Sequence, residues 1–253
     1  MEVEYIFEED TKEPTKIHFQ FSREFCIQFG ISFVANLLIF ITGTHIGWFG
    51  PTILKLSLNT SEIQLTSSEI SWLTATLPLG GGIGPVFGAV LANRIGRKNT
   101  ILLATIPEII TWILIAYAKN IYHLCIAQFI KGIIGGAAVA VVPMYVAEIS
   151  SPQFRGINGM FFQLHYTLGA LFEILLVSFV SIMVNAWIAS IIPVLLFVIF
   201  IWMPESPYYF LIKNEIENAR KSLRILKQSD NIDRQLEHLR RVVVEEQNEW
   251  GLL

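Results

Sequence analysis

The sequence predicts an all-α membrane protein of six transmembrane helices, followed by amphipathic helices. Three observations predict it. Apolar residues make up 53% of the chain and charged residues only 15%, too apolar for an ordinary soluble domain. Apolar runs of about 20 residues, enough to cross a hydrocarbon core, recur six times, at residues 25–47, 71–92, 100–118, 124–146, 159–180 and 187–203. Lysine and arginine fall unequally on the two sides of those runs. The expected layout is a polar tail (1–24), a six-helix bundle (25–203) and a polar helical segment (204–253).

The charge bias sets the orientation. With the N-terminus inside, the inner segments hold Lys12, Lys16, Arg23, Arg94, Arg97, Lys98 and Arg155, and the tail adds Lys213, Arg220, Lys221 and Arg224. The outer loops offer only Lys55 and Lys119, so both termini are expected in the cytoplasm of a multi-pass protein. Asn59, in Asn59-Thr60-Ser61, falls in the first outer loop and is the candidate glycosylation site. The acidic start is wrong for a cleaved signal peptide, so the first run would act as an uncleaved signal-anchor. Cys26 and Cys125 fall near opposite faces, which excludes a disulfide. The net charge of −3 gives no sign of nucleic-acid binding. Neither hydrophilic segment carries a nucleophile–base pair, a metal-ligand cluster or a phosphate loop, so no enzyme, cofactor or metal is expected.

Taken in order, the first span closes on Gly43-Thr44-His45-Ile46-Gly47-Trp48-Phe49-Gly50-Pro51. His45 is either a group titrating near neutrality or, as the plainer reading, a polar residue hydrogen-bonded to cavity water. The second span is rich in glycine and leads to Asn93-Arg94-Ile95-Gly96-Arg97-Lys98, where Gly96 permits a tight turn and the cations face carboxylates on neighbouring helix ends. The third carries Glu108, an intramembrane carboxylate and so a functional candidate. Cavity lining, a partnered structural role and a neutral form all stay open for it, and Lys131 in the fourth span is free to pair with Glu108 or Glu173.

Residues 131–156 of the fourth span are the centre of the chain. Gly132, Gly135 and Gly136 strip bulk from the helix so that a neighbour approaches closely. Pro143 withdraws a donor and allows a bend. Glu148 and Arg155 stand just past the hydrocarbon as a charged latch. The fifth span places Gln163, Tyr166 and Thr167 on one face, and residues 181–186 form a barely polar turn before the sixth. Beyond Pro204-Glu205-Ser206-Pro207-Tyr208, apolar residues recur at helical spacing (Ile216, Ala219, Leu223, Leu226; Ile232, Leu236, Leu239, Val243), as paired helices or as a tail on the membrane surface.

Gly132, Gly136, Pro143, Tyr145, Glu148 and Arg155-Gly156 resemble the fourth-helix signature of the sugar porters of the major facilitator superfamily, in particular the glucose facilitators and insect trehalose transporters. The loop at Asn93–Lys98 resembles the signature between helices two and three, with Ala89 and Asn93 replacing a glycine and an aspartate. Gln163-Leu164 with Gly169 resembles a glutamine motif whose amide faces the sugar. Pro204 to Tyr208 resembles the motif that closes the N-terminal half, with Tyr208 in place of an arginine. Ala127-Gln128 replaces a usual Gly-Arg.

The resemblance implies the N-terminal six-helix bundle of the major facilitator fold, built as a three-plus-three repeat, with the second half absent and supplied by a longer product or a full-length relative. It implies plasma-membrane transport of a glucose- or trehalose-class sugar by alternating access. An aspartate of proton-coupled members is missing near His45, which points to facilitated diffusion; proton coupling through His45, Glu108 or Glu173, and a non-transporting half acting through a partner, are the alternatives. The implied substrate-binding set is Gln163, Tyr166, Thr167, His45 and Trp48. The implied cytoplasmic gate is Arg94, Arg97, Lys98, Glu148, Arg155 and Glu205, its pairs partly hydrated and worth about 1 kcal/mol each. The expected partners are the sugar, the lipid bilayer and the other half.

Overall fold

The computed structural model describes residues 23–57, 63, 65–151, 154–227 and 232–249; Lys12, Lys16 and Asn59 lie outside the described residues. Among the described residues, six helical spans are long and apolar enough to cross a membrane. The first joins α1 (Arg23–Ala35) and α2 (Leu37–Leu56); the others are α3 (Ser67–Ile95), α4 (Arg97–Ala116), α5 (Ile121–Ile149), α6 (Arg155–Phe179) and α7 (Ile182–Phe200). Three shorter helices follow: α8 (Pro207–Ile212), α9 (Ile216–Lys227) and α10 (Ile232–Glu249). At Asn36, between α1 and α2, backbone bonds from Asn36 to Ser32 and from Phe40 to Asn36 carry the helix through.

The ends are set by local chemistry. Thr66 and Glu69 form a reciprocal capping box that starts α3 four residues before the predicted span. Asn120 caps α5 through the His123 N–H. Ser181 caps α7 through the Val184 N–H, so the turn expected over 181–186 contracts to the cap and α7 begins at Ile182. Pro51 and Pro143 both lie inside continuous helices. The first span therefore runs on past Pro51 to Leu56, because one missing donor is tolerated where neighbouring groups satisfy the freed carbonyl. Lys55, near the end of α2, donates to the Val177 and Val180 carbonyls at the end of α6, where a cation suits the helix dipole.

The closest packing is α3 along α5 and α2 along α6, with α4 against α7 and α5. Glycine makes the first two possible. A Cβ on Gly132 would strike the Leu77 carbonyl, and one on Gly136 would lie 2.6 Å from the Gly81 oxygen. Exchanging the first three spans with the last three turns the α3–α5 pair into the α6–α2 pair and leaves α4–α7 unchanged, as a three-plus-three repeat requires. Leucines, isoleucines and valines of α3, α4, α6 and α7 point outward, toward lipid. The amphipathic faces of α8–α10 bury against one another, around Leu211, Ala219, Leu223, Leu236 and Val243. Those faces are spent on mutual packing, which replaces the surface-lying tail.

Candidate functional site

Two polar constructions stand out in the bundle. The first is a cleft of about 490 Å³ between α2, α3, α5 and α6, lined by Thr42, His45, Thr74, Lys131, Gly135 and Tyr166 among others. At its inner wall His45 Nε2 lies 2.9 Å from Glu108 Oε1, and Lys131 Nζ lies 2.7 Å from the same oxygen. All three residues are buried, and the Lys131 ammonium also sits 3.3 Å from the centre of the Trp112 ring. This settles the pairing that sequence left open: Lys131 answers Glu108, while Glu173 Oε1 accepts from Asn185 at 2.7 Å. Glu108 has a partnered role, and His45 meets it through Nε2.

The second is a latch at the α8–α10 end. Arg97 donates from Nε and Nη2 to Glu148 Oε1, at 3.1 and 2.9 Å. Arg97 is 3% exposed and the Glu148 side chain 13%, so the pair is partly buried, with its carboxylate the wetter partner. Breaking it costs more than the roughly 1 kcal/mol of a surface pair, because the buried guanidinium loses its counter-charge. Tyr208 and Tyr209 flank the guanidinium, with ring centres 5.9 and 5.6 Å away. Tyr208, which stands where the resemblance has an arginine, also donates to Glu246 of α10.

Glu205 works differently from the expectation. Its carboxylate accepts backbone N–H groups from Arg97 at 3.0 Å, Lys98 at 3.0 Å and Ser206 at 2.9 Å. It thereby caps α4, whose own N-cap, Gly96, has no side chain to offer. Burial pushes the Glu205 carboxyl above its ordinary pKa, opposed by the N–H groups of Lys98, Ser206 and Arg97. Gly96 has φ +101°, and a Cβ there would run into the same carboxylate. The Tyr145 hydroxyl donates to the Pro204 carbonyl at 2.6 Å, tying α5 to this segment.

A model of the sugar (and other) transporter family matches residues 31–253. The chain belongs to that family. It is 30% identical over 198 residues to the facilitated trehalose transporter Tret1 of Bombyx mori, covering 78% of this chain and 39% of that one. It is 29% identical to the facilitated glucose transporter member 8 of solute carrier family 2 from Mus musculus, covering 77% of this chain and 41% of the relative. The proton:xylose symporter XylE, bound to 6-bromo-6-deoxy-D-glucose, superposes with a TM-score of 0.81 at 20% identity, over 91% of this chain and 56% of that one. The fold is the N-terminal six-helix bundle of a major facilitator sugar porter. The chain spans about two-fifths of the length of the curated relatives it matches.

Among these family features, Tyr166 lines the cleft. Gln163 stands exposed one turn nearer the latch, its Nε2 3.2 Å from the Thr167 hydroxyl, which is also exposed. Trp48 does not join them: it is fully buried with Leu73, Trp112 and Leu124. Apolar side chains of α3, α4 and α5 enclose its ring there, away from the cleft. At the latch, Arg94 and Arg155 are exposed and make no ion pair with a described carboxylate; Arg94 contributes its carbonyl, which accepts from Tyr209. Lys98 donates its ammonium to the Ile201 carbonyl at 2.7 Å. Sequence reasoning missed the link from Gln28 to Ser151 (2.8 Å to the backbone N–H); a glutamine inside an apolar run was its only signal.

Proposed function

We propose that the protein is a facilitative carrier of a glucose- or trehalose-class sugar in the plasma membrane, both termini cytoplasmic, working by alternating access. This chain supplies the N-terminal half of the sugar site and of the inner gate, and a second six-helix bundle, in a longer product or a full-length relative, supplies the rest. One observation carries the reading: a mostly apolar cleft that also holds Thr42, His45, Thr74 and Lys131 opens beside Tyr166 in a bundle of the sugar (and other) transporter family. Gln163 fits a sugar contact because an amide both donates and accepts, as hydroxyls do. Thr167, one turn on, extends the same polar face.

The Arg97–Glu148 pair, with Glu205 holding the start of α4, is the gate. It closes the inner end while the cleft is open outward and separates when sugar favours the other state, by no more than the sugar's differential affinity. Glu108 and Glu173 are both engaged inside the bundle, which supports facilitated diffusion over proton coupling. The test is zero-trans and counterflow uptake of glucose and trehalose by the native protein in liposomes. Saturable uptake that equilibrates without accumulating, with or without a pH gradient, is the expected result; accumulation driven by the gradient would overturn the facilitative mechanism.

A further inference from the structure

A second cavity, of about 470 Å³, opens where the start of α6 meets α9 and α10. Its cationic lining comes from three elements: Arg155 from α6, Lys227 from α9, and Arg234 with His238 from α10. Arg155, Arg234 and His238 are exposed and stand at its mouth, whereas Ile149, Leu223 and Leu226 are buried at its base.

The charges of this lining are unbalanced. Its one carboxylate, Glu148, is already held by Arg97. Asp233, next to Arg234, pairs with Arg220, as does Glu217 of α9. Arg155, Lys227 and Arg234 form no ion pair with a described carboxylate. Three cations around an apolar hollow repel one another and leave apolar surface in water. An occupant both acidic and apolar relieves the two costs together.

Such an occupant is written at the start of the same chain. Residues 1–22 lie outside the described residues, and their sequence opens with Glu2-Val3-Glu4-Tyr5-Ile6-Phe7-Glu8-Glu9-Asp10 after Met1. Five carboxylates thus flank Tyr5-Ile6-Phe7, and no lysine or arginine occurs before Lys12. The chain enters α1 beside the cavity. Gln28 of α1 accepts from the Ser151 N–H at 2.8 Å and donates to the Leu226 carbonyl at 3.4 Å, and both Leu226 and Ser150 line the cavity. Residues 11–22 span up to roughly 40 Å when extended, well beyond the width of such a cavity. Linkage in one chain gives the segment an effective concentration of about millimolar, against which any free anion must compete.

We infer that residues 2–10 dock in this cavity, with Tyr5, Ile6 and Phe7 against its apolar base and the flanking carboxylates on Arg155, Lys227 and Arg234. Docking makes the N-terminal segment a strap from α1 across the start of α6 to α9 and α10, beside the Arg97–Glu148 pair. Nothing in this docking depends on which solute the protein carries.

Zero-length cross-linking of the native protein is the test. A water-soluble carbodiimide joins a carboxylate to an amine as an amide, with loss of water, where the two are in contact. The expected product links Lys227 to Glu2, Glu4, Glu8, Glu9 or Asp10, identified by mass spectrometry of proteolytic peptides. Its yield should fall by about five- to tenfold in Arg234→Glu/His238→Glu, while Arg234→Lys/His238→Lys should keep the segment joined to the cavity residues. Raising sodium chloride from about 0.05 to about 0.5 M should lower the wild-type yield as well, because salt screens exposed charges. That arm involves no variant and so no change in folding. An absent link in wild type, or a link from Lys227 to a carboxylate elsewhere in its place, overturns the docking. So does a link whose yield ignores both the reversed charges and the salt, since nearness alone gives that result.

Discussion

At the residue scale, the bundle is decided by a few polar groups placed where they are expensive. Lys131 and Glu108 tolerate burial because each answers the other, with Trp112 under the ammonium and His45 on the shared oxygen. Lys131→Met should lower stability by about 3–5 kcal/mol, because it strands the carboxylate, and adding Glu108→Gln should recover most of that loss; thermal unfolding in detergent checks both. Gly96→Ala should cost about 1–2 kcal/mol for its positive φ alone, and more because the new methyl meets Glu205. Gln163→Ala should raise the apparent sugar KM by about three- to tenfold with surface expression unchanged, measured as initial uptake against surface biotinylation.

These residues were unequally legible in the sequence. The intramembrane charges announced themselves by type, but Lys131 had two carboxylates within plausible reach, and only the packing of α4 against α5 selects Glu108. Trp48 carried no signal of its burial, because an aromatic near the end of an apolar span reads the same whether it faces the cleft or packs among Leu73, Trp112 and Leu124. Glu205 suggested a side-chain ion pair, whereas its work is with backbone N–H groups, which carry no sequence signal at all.

At the scale of elements, glycine spacing and a partly buried ion pair determine which helices touch and where they part. Gly80 and Gly84 on α3 meet Gly132 and Gly136 on α5, backbone against backbone, and Gly88 meets Ala137. Gly132→Val should force these helices apart and abolish stable expression, whereas Gly159→Val, where a Cβ meets nothing, should be tolerated; fluorescence-detected size exclusion separates the two. Arg97→Ala and Glu148→Gln should each favour the inward-facing state, and the double variant should add little to either because both break one pair. Arg155→Ala should act more weakly, since Arg155 is exposed and outside that pair in this structure. Accessibility of cysteines introduced beside the latch reads all four variants, and additive effects of Arg97 and Glu148 would contradict a shared bond. The spans and the periodic faces of α9 and α10 were readable because they are written in apolar spacing. Their ends were not, because Thr66, Ser181 and Pro51 act through local backbone bonds that a hydropathy pattern does not contain.

At the scale of the whole molecule, the six spans form two interlocked triplets, α1–α4 and α5–α7, joined by the paired contacts of α3 with α5 and α2 with α6. The cleft lies between these pairs, and the latch lies at the α8–α10 end, where Tyr145, Pro204 and Glu205 connect α5 to the segment after α7. On the proposed reading, sugar enters at one construction and the other releases. The central claim is that this bundle forms part of a facilitative sugar carrier. Its most direct test is counterflow of radiolabelled glucose and trehalose into liposomes holding the native protein, beside Gln163→Ala and empty liposomes. The account predicts saturable counterflow of at least one of the two sugars, weakened in the variant and independent of a pH gradient. Counterflow no greater than in empty liposomes for both sugars would contradict it.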